Sequence, residues 1–418
     1  MLSPFDLVAI LLTFAALFAF ANQRWLHLPQ TIALFLLGLV TALALTALDA
    51  VTVRFDAGEW LRDIAHQVNL PKVLLEGVLG YLLYAAAVNE DLAAILKRKW
   101  TILALATLGV VLSTTVVGVG MWYVFDRIGA GVPLIWCLVL GAAIAPTDPV
   151  AVASILERLP VPGALRTVIS GESLLNDGVG VVAFTLLLQL AVGGTGRIGG
   201  EEVLVAFLRE AVGGGLLGLV CGLLAFEAKR RVDESTVELM ISLALVTGTF
   251  SLARLLEVSG PIAVVVAGLL IGYTTDRHVS SERSRRDLRI FWTMVDAVLN
   301  ALLFLIVGLE VTVLTAWDRP HLLAALLAIP VALAARLFSL TPAFAMNLGA
   351  RRKGAALAVL TWAGLRGGIA VALILSLPDT PYREHILAAC YAIVAFSIVV
   401  QGLSLEPVAK RVFPVREE

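Results

Sequence analysis

The sequence predicts an all-α polytopic membrane protein, and three observations carry that prediction. Of its 418 residues, 59% are hydrophobic and only 15% charged, with a mean hydropathy of +0.93; soluble domains carry roughly a quarter charged residues. The apolar residues gather into about thirteen runs near 20 residues long, the length a helix needs to cross roughly 30 Å of hydrocarbon. Lysine and arginine, finally, alternate between rich and poor loops along the chain. A net charge of −1 gives no reason to expect a nucleic-acid partner. Cys137, Cys221 and Cys390 all fall inside apolar runs without metal-ligand spacing, and read as small lipid- or core-facing residues.

The runs lie near 5–22, 28–49, 73–92, 100–124, 132–156, 164–191, 203–228, 236–257, 260–275, 291–314, 321–347, 354–377 and 385–407. The first has no basic segment before it and reads as a retained helix, not a cleavable signal. The ninth is short, and is the weakest of the set. The longest connection, about 50–72, reads as an interfacial helix, and no loop is long enough to fold as a soluble domain. Twenty basic residues fall in one set of alternate connections, among them Arg24, Lys97 to Lys99, Lys229 to Arg231, Arg283 to Arg289 and Lys410; nine fall in the other, among them Arg127, Arg209, Arg254 and Arg383. Positive charge marks the cytoplasmic side, so the C-terminus is expected inside and, with an odd helix count, the N-terminus outside.

Enzyme signatures are missing. There is no Gly-Lys pair, hence no Walker A loop. His27, His66, His278, His321 and His385 sit in loops or at span ends and never four apart, against a metalloprotease helix. The segment Gly171-Glu172-Ser173 is not a nucleophile elbow. No cofactor is expected.

What remains is the charge that falls inside the spans, where each ionisable group costs about 2.5–3.5 kcal/mol at a helix centre and so marks function. These residues are Asp148, Glu172, Asp177, Arg336 and Arg366, with Glu76 and Asp296 nearer span ends. Asp148 lies between Pro146 and Pro149. Each proline removes an N–H donor and crowds the preceding turn, which predicts a break in the fifth span. Backbone groups freed there must line a cavity or meet protein. Thr147 and Asp148 can satisfy them, complement the half-helix dipoles or coordinate a cation. The twelfth span is loosened by Gly364, Gly367 and Gly368 around Arg366.

Taking the seventh span as a linker divides the chain into a repeat over 1–192 (spans 1–6), a linker over 193–234, an inverted repeat over 235–410 (spans 8–13) and a short cytoplasmic tail, 411–418. Both interrupted helices, 5 and 12, are then fifth in their half. Paired interruptions in inverted halves point to the midplane site of a secondary transporter.

On a helix through the sixth span, Glu172 stacks with Asn176 and Ser173 with Asp177, giving one oxygen-rich stripe. Such a stripe suits a partly dehydrated monovalent cation, and Asp177 can hold a proton instead. A buried arginine among these acids must be paired. Arg366 is the expected partner of Glu172, which leaves Asp177 free to titrate. Arg336 reads either as a second structural cation near a backbone carbonyl or as a snorkelling side chain.

Four segments carry a resemblance: Ala145-Pro-Thr-Asp-Pro-Val150, Gly171-Glu-Ser-Leu-Leu-Asn-Asp-Gly178, Ser259-Gly-Pro-Ile-Ala-Val-Val-Val-Ala-Gly268 and Gly364-Leu-Arg-Gly-Gly368. Together, in order and spacing, they resemble the monovalent cation:proton antiporters of the NhaP/NHE type. The resemblance implies a thirteen-helix inverted-repeat fold, a homodimer in the bacterial inner (plasma) membrane, and electroneutral exchange of Na⁺, or Li⁺ or K⁺, for H⁺. It implies that Asp177 is the exchanging carboxylate, that Ser173, Asp148 and the Thr147 carbonyl are cation ligands, and that Asn176 is the family's asparagine. It also implies that Glu172 and Arg366 are its structural ion pair. A K⁺/H⁺ exchanger or a cation channel on the same fold is the alternative.

The chain departs from that pattern in two places. Many relatives carry an acid in the third helix, where Leu82-Leu-Tyr-Ala-Ala-Ala87 has alanine, and Glu76 lies more than two turns earlier. The sequence also runs only about ten residues past the last span, where many relatives have a long regulatory tail.

Overall fold

The computed structural model describes residues 4–51, 72–148, 161–193, 200–275, 281–310, 318–345 and 353–413. The expected interfacial helix at 50–72, the second half of the fifth span and several loop arginines, Arg158 and Arg277 among them, lie outside these residues. No strand occurs among the described residues, so the backbone groups of each apolar segment are satisfied within helices, as hydrocarbon requires.

In chain order the helices are α1 (Pro4–Ala21), which runs on through a π-helical turn to Leu26, α2 (Gln30–Val51), α3 (Val73–Val88), the short α4 (Leu92–Lys97) and α5 (Lys99–Arg127). Then come α6 (Leu134–Ile144), α7 (Gly163–Val192), α8 (Gly200–Lys229), α9 (Ser235–Leu255), α10 (Gly260–Thr274) and α11 (Glu282–Leu309). After these come α12 (Arg319–Ser339), followed by one helical turn over Thr341–Ala345, the half-helices α13 (Lys353–Trp362) and α14 (Gly368–Leu375), and α15 (Arg383–Val412). Among the described residues nine helical segments are long and apolar enough to span a bilayer; α3, α6 and α10 are shorter apolar helices.

Local chemistry explains the boundaries that matter. Pro133 precedes α6, and Pro146 helps end it: residues 145–148 are non-helical. Ser259 caps α10 by accepting from the Ile262 N–H at 3.3 Å, with Pro261 in the first turn where no N–H is needed. Ser281 caps α11 in the same way. This start lies nine residues before the tenth apolar run, because the charged segment Glu282–Arg289 forms an amphipathic extension of the same helix. Asp296 therefore stands in the middle of α11, about two turns past the charged extension.

Two large apolar clusters hold most of the interior among the described residues. One joins α6, α12, α14 and α15 through Val139, Ala328, Leu373 and Val394. The other joins α3, α10 and α11 through Tyr84, Val264 and Trp292, with the Tyr84 and Trp292 ring centroids 4.7 Å apart. The outer faces are apolar too. Leu208, Val212, Leu216 and Leu224 on α8 are all exposed, which fits a chain whose solvent there is lipid.

Candidate functional site

The two broken segments meet. The Asp148 N–H donates to the Leu365 carbonyl at 2.8 Å, joining the break after α6 to residues 363–367 between α13 and α14. Gly367 permits this crossing, since a Cβ there would lie 2.8 Å from the Asp148 Cβ. The breaks predicted from Pro146 and from the glycines around Arg366 are thus two sides of one crossing.

Breaking the chain frees carbonyls, and Arg366 takes them. Its Nη1 donates to the carbonyls of Ala145 and of Pro146, the latter at 2.9 Å, while its own N–H donates to Ser397 Oγ at 2.8 Å. Glu172 has a different partner: both of its oxygens accept from Arg336 on α12, Nη2 at 3.1 Å to Oε2 and Nη1 to Oε1. The expected Glu172–Arg366 ion pair is corrected to Glu172–Arg336. The physical reason is backbone demand. Arg366 lies on the non-helical bridge beside the Ala145 and Pro146 carbonyls, which among the described residues take no other donor, so a main-chain role claims it. Arg336 projects from an intact helix across Gly364, reaches α7, and donates its Nε to the Leu360 carbonyl at 3.1 Å. Its snorkelling reading falls, since it is 4% exposed.

The α7 stripe forms as expected, with Glu172, Ser173, Asn176 and Asp177 all buried. Asn176 grips the break: Nδ2 donates to Thr147 Oγ1 at 2.9 Å, and Oδ1 accepts the Thr147 N–H at 3.3 Å. Thr147 Oγ1 also shares a 2.9 Å hydrogen bond with Ser173 Oγ. Both ends of the Asn176 amide are therefore spent on holding Thr147.

Thr147, Asp148 and Asp177 line a cavity of about 40 Å³, room for about two or three water-sized particles. Ser173 and Asn176 adjoin Thr147 and are not among its lining residues. Asp177 is 4% exposed and, among the described residues, accepts no hydrogen bond from a side chain; its charge and that of Asp148 are within reach of each other. A small cation or a proton is what such a pair of oxygen groups can take.

The cavity also shows what the sequence reading leaves out of the site: it names Asp296 only as a charge within a span, and does not name Asn300. Asp296 and Asn300 of α11 form part of its wall, and Leu82, Leu83 and Ala86 supply the α3 side with no carboxylate. Glu76 is occupied elsewhere, in a surface pair with Arg254 at 2.9 Å. The available signal for the α11 residues was their spacing of four within an otherwise apolar helix.

Residues 9–411 match the family model described as sodium/hydrogen exchanger, transmembrane. The chain is 40% identical over 414 residues to the Na(+)/H(+) antiporter NhaP of Pseudomonas aeruginosa, covering 98% of this chain and 97% of that one. It is 33% identical over 399 residues to the Na(+)/H(+) antiporter NhaH of Halobacillus dabanensis, covering 94% of each. Among solved structures it is similar to the sodium proton antiporter MjNhaP1 from Methanocaldococcus jannaschii, with a TM-score of 0.75, 17% identity, and 97% and 98% of the two chains covered. At that identity the likeness speaks for the fold.

Proposed function

From the premise that this chain belongs to the transmembrane sodium/hydrogen exchanger family, we propose that it exchanges Na⁺ for H⁺ by competition of the two at Asp177. The observation that carries this reading is the pair Asp148 and Asp177 on one small cavity at the crossing of two broken segments. Asp177 carries the proton or shares the cation with Asp148 and Thr147, whose carbonyl lies in the non-helical stretch. Ser173 and Asn176 fix Thr147, and the Glu172–Arg336 pair holds α7 against α12.

One carboxylate that trades one cation for one proton moves no net charge. Asn176 adds no second titrating group, and its amide is already committed to Thr147. Exchange is therefore electroneutral. Alternating access follows from the architecture: the segments carrying Asp148 and Asp177 share the cavity with α3 and α11, so relative movement of the two groups opens it to one side and then the other. We read residues 1–192 and 235–410 as the inverted repeats, with 193–234 as linker and 411–418 as tail. The assembly is a homodimer in a bacterial plasma membrane, with the C-terminus in the cytoplasm.

The test is Asp177→Asn, reconstituted in vesicles with a pH dye inside. A sodium pulse moves protons in the unsubstituted protein and none in the variant. Sodium raises the unfolding temperature of the former and not of the latter, because a ligand stabilises only the state that binds it. The fold survives, since a neutral amide removes a buried charge. Exchange at the unsubstituted rate would overturn the assignment.

A further inference from the structure

The exchange site has a third carboxylate. Asp296, Asn300 and Leu303 are spaced i, i+4 and i+7 on α11, so they share one face, and all three line the same cavity as Asp148 and Asp177. Between Ile290 and Leu309, Asp296 is the one charged residue. It stands seven residues past Arg289, about 10 Å along the helix at 1.5 Å per residue. Packing fixes that face: Trp292, one turn before Asp296, is fully buried against Tyr84 of α3, which turns Asp296 toward the gap beside Ala86.

Asn300 Nδ2 donates to the Asp296 carboxylate Oδ1 at 3.0 Å and to the Asp296 carbonyl at 3.0 Å. One carboxylate oxygen is thus held, and among the described residues no hydrogen bond falls on the other. The lining residues of the cavity include three carboxylates and no lysine, arginine or histidine. Asp296 and Asp148 are close enough for their charges to interact, and a cation between them relieves that repulsion. The α3 wall, where the resemblance leads one to expect an acid, contributes only Leu82, Leu83 and Ala86.

We propose that Asp296, positioned by Asn300, is a cation-recognising residue of the exchange site, taking the sodium ion on its passage between solvent and the Asp148–Asp177 pair. The proposal rests on the exchange reading above. It moves the carboxylate accompanying the exchanging pair from α3 to α11, and it makes Asp296 a determinant of cation affinity while Asp177 remains the group that trades the proton.

The experiment is proton movement in proteoliposomes of the full chain as the sodium concentration is varied, for the unsubstituted protein, Asp296→Asn, Asp296→Glu and Asn300→Ala. Asp296→Asn raises the apparent KM for Na⁺ about tenfold, the scale of one charge-assisted contact, while the maximal rate stays within about twofold. Asp296→Glu recovers most of the affinity, and Asn300→Ala raises KM about threefold by releasing the carboxylate. An unchanged KM in Asp296→Asn, or a lower maximal rate at unchanged KM, overturns the proposal. Should Asp296→Asn fail to fold, Asn300→Ala decides: a raised KM supports it and an unsubstituted KM overturns it. An unsubstituted protein that moves no protons with Na⁺, Li⁺ or K⁺ defeats the exchange reading itself, whereas an active protein indifferent to Asp296 defeats this inference alone.

Discussion

Two arginines buried a few residues from the same acids do different work, and the difference is set by what each would leave unsatisfied. Arg336 meets a carboxylate; Arg366 meets main-chain carbonyls freed by a proline break. Removing one member of a buried ion pair strands the other, at a cost of about 3–5 kcal/mol. Glu172→Gln therefore lowers the unfolding temperature sharply, and adding Arg336→Gln to it recovers much of the loss. Adding Arg366→Gln to Glu172→Gln recovers nothing, because that change orphans the Ala145 and Pro146 carbonyls. Thermal unfolding of the singles and both doubles in detergent reads the two couplings, and a larger coupling of Glu172 to Arg366 than to Arg336 would contradict the observed pairing. Residue identity alone left this unresolved. The sequence placed two arginines and the acids Asp148, Glu172 and Asp177 in the membrane, and only the position of the freed carbonyls decides which arginine meets Glu172.

At the scale of elements, the breaks were legible and the extents were not. Pro146 and Pro149 on either side of Asp148 announce a break because proline chemistry is local, and the glycines around Arg366 announce the other. That the two breaks would bond to each other, Asp148 N–H to Leu365 O, depends on contacts over two hundred residues apart in sequence. The α11 boundary failed for a related reason. Its charged first turns precede the apolar run, so hydropathy began the span near 291 while the Ser281 cap begins the helix nine residues earlier. The crossing also makes a prediction about shape. A methyl group at position 367 meets the Asp148 side chain, with Cβ at 2.8 Å and Cγ at 2.9 Å. Gly367→Ala therefore pushes Asp148 out of register and slows exchange between about ten- and a hundredfold, the scale expected for a displacement near 1 Å. Gly354→Ala, where nothing lies within 4 Å of the added methyl, leaves the rate unchanged. Equal rates in the two variants would show that the crossing tolerates slack.

For the whole molecule, the low charge content defines the surroundings, and the placement of the remaining charge defines the faces. Contacts at the helix ends sort those faces independently of any charge count. Lys229 at the end of α8 pairs with Glu238 at the start of α9, at 3.0 Å, and donates to Thr275 just after α10, at 2.9 Å. Glu76 at the start of α3 meets Arg254 at the end of α9, and His321 at the start of α12 stacks on His385 at the start of α15, with centroids 4.0 Å apart. Each contact joins ends that the alternation of spans places on one side, with the Lys229 group opposite to the others. The rule that basic residues stay in the cytoplasm then assigns the sides, twenty residues against nine in the sequence. Two exposed positions test that assignment. In a background where Cys137, Cys221 and Cys390 are replaced by alanine, Arg231→Cys reacts with a membrane-impermeant maleimide only after the cells are permeabilised. Asp379→Cys, in the loop before α15, reacts in intact cells. The opposite pattern inverts the molecule in the membrane, and with it the side on which Asp296, two turns beyond the arginine-rich start of α11, first meets the cation.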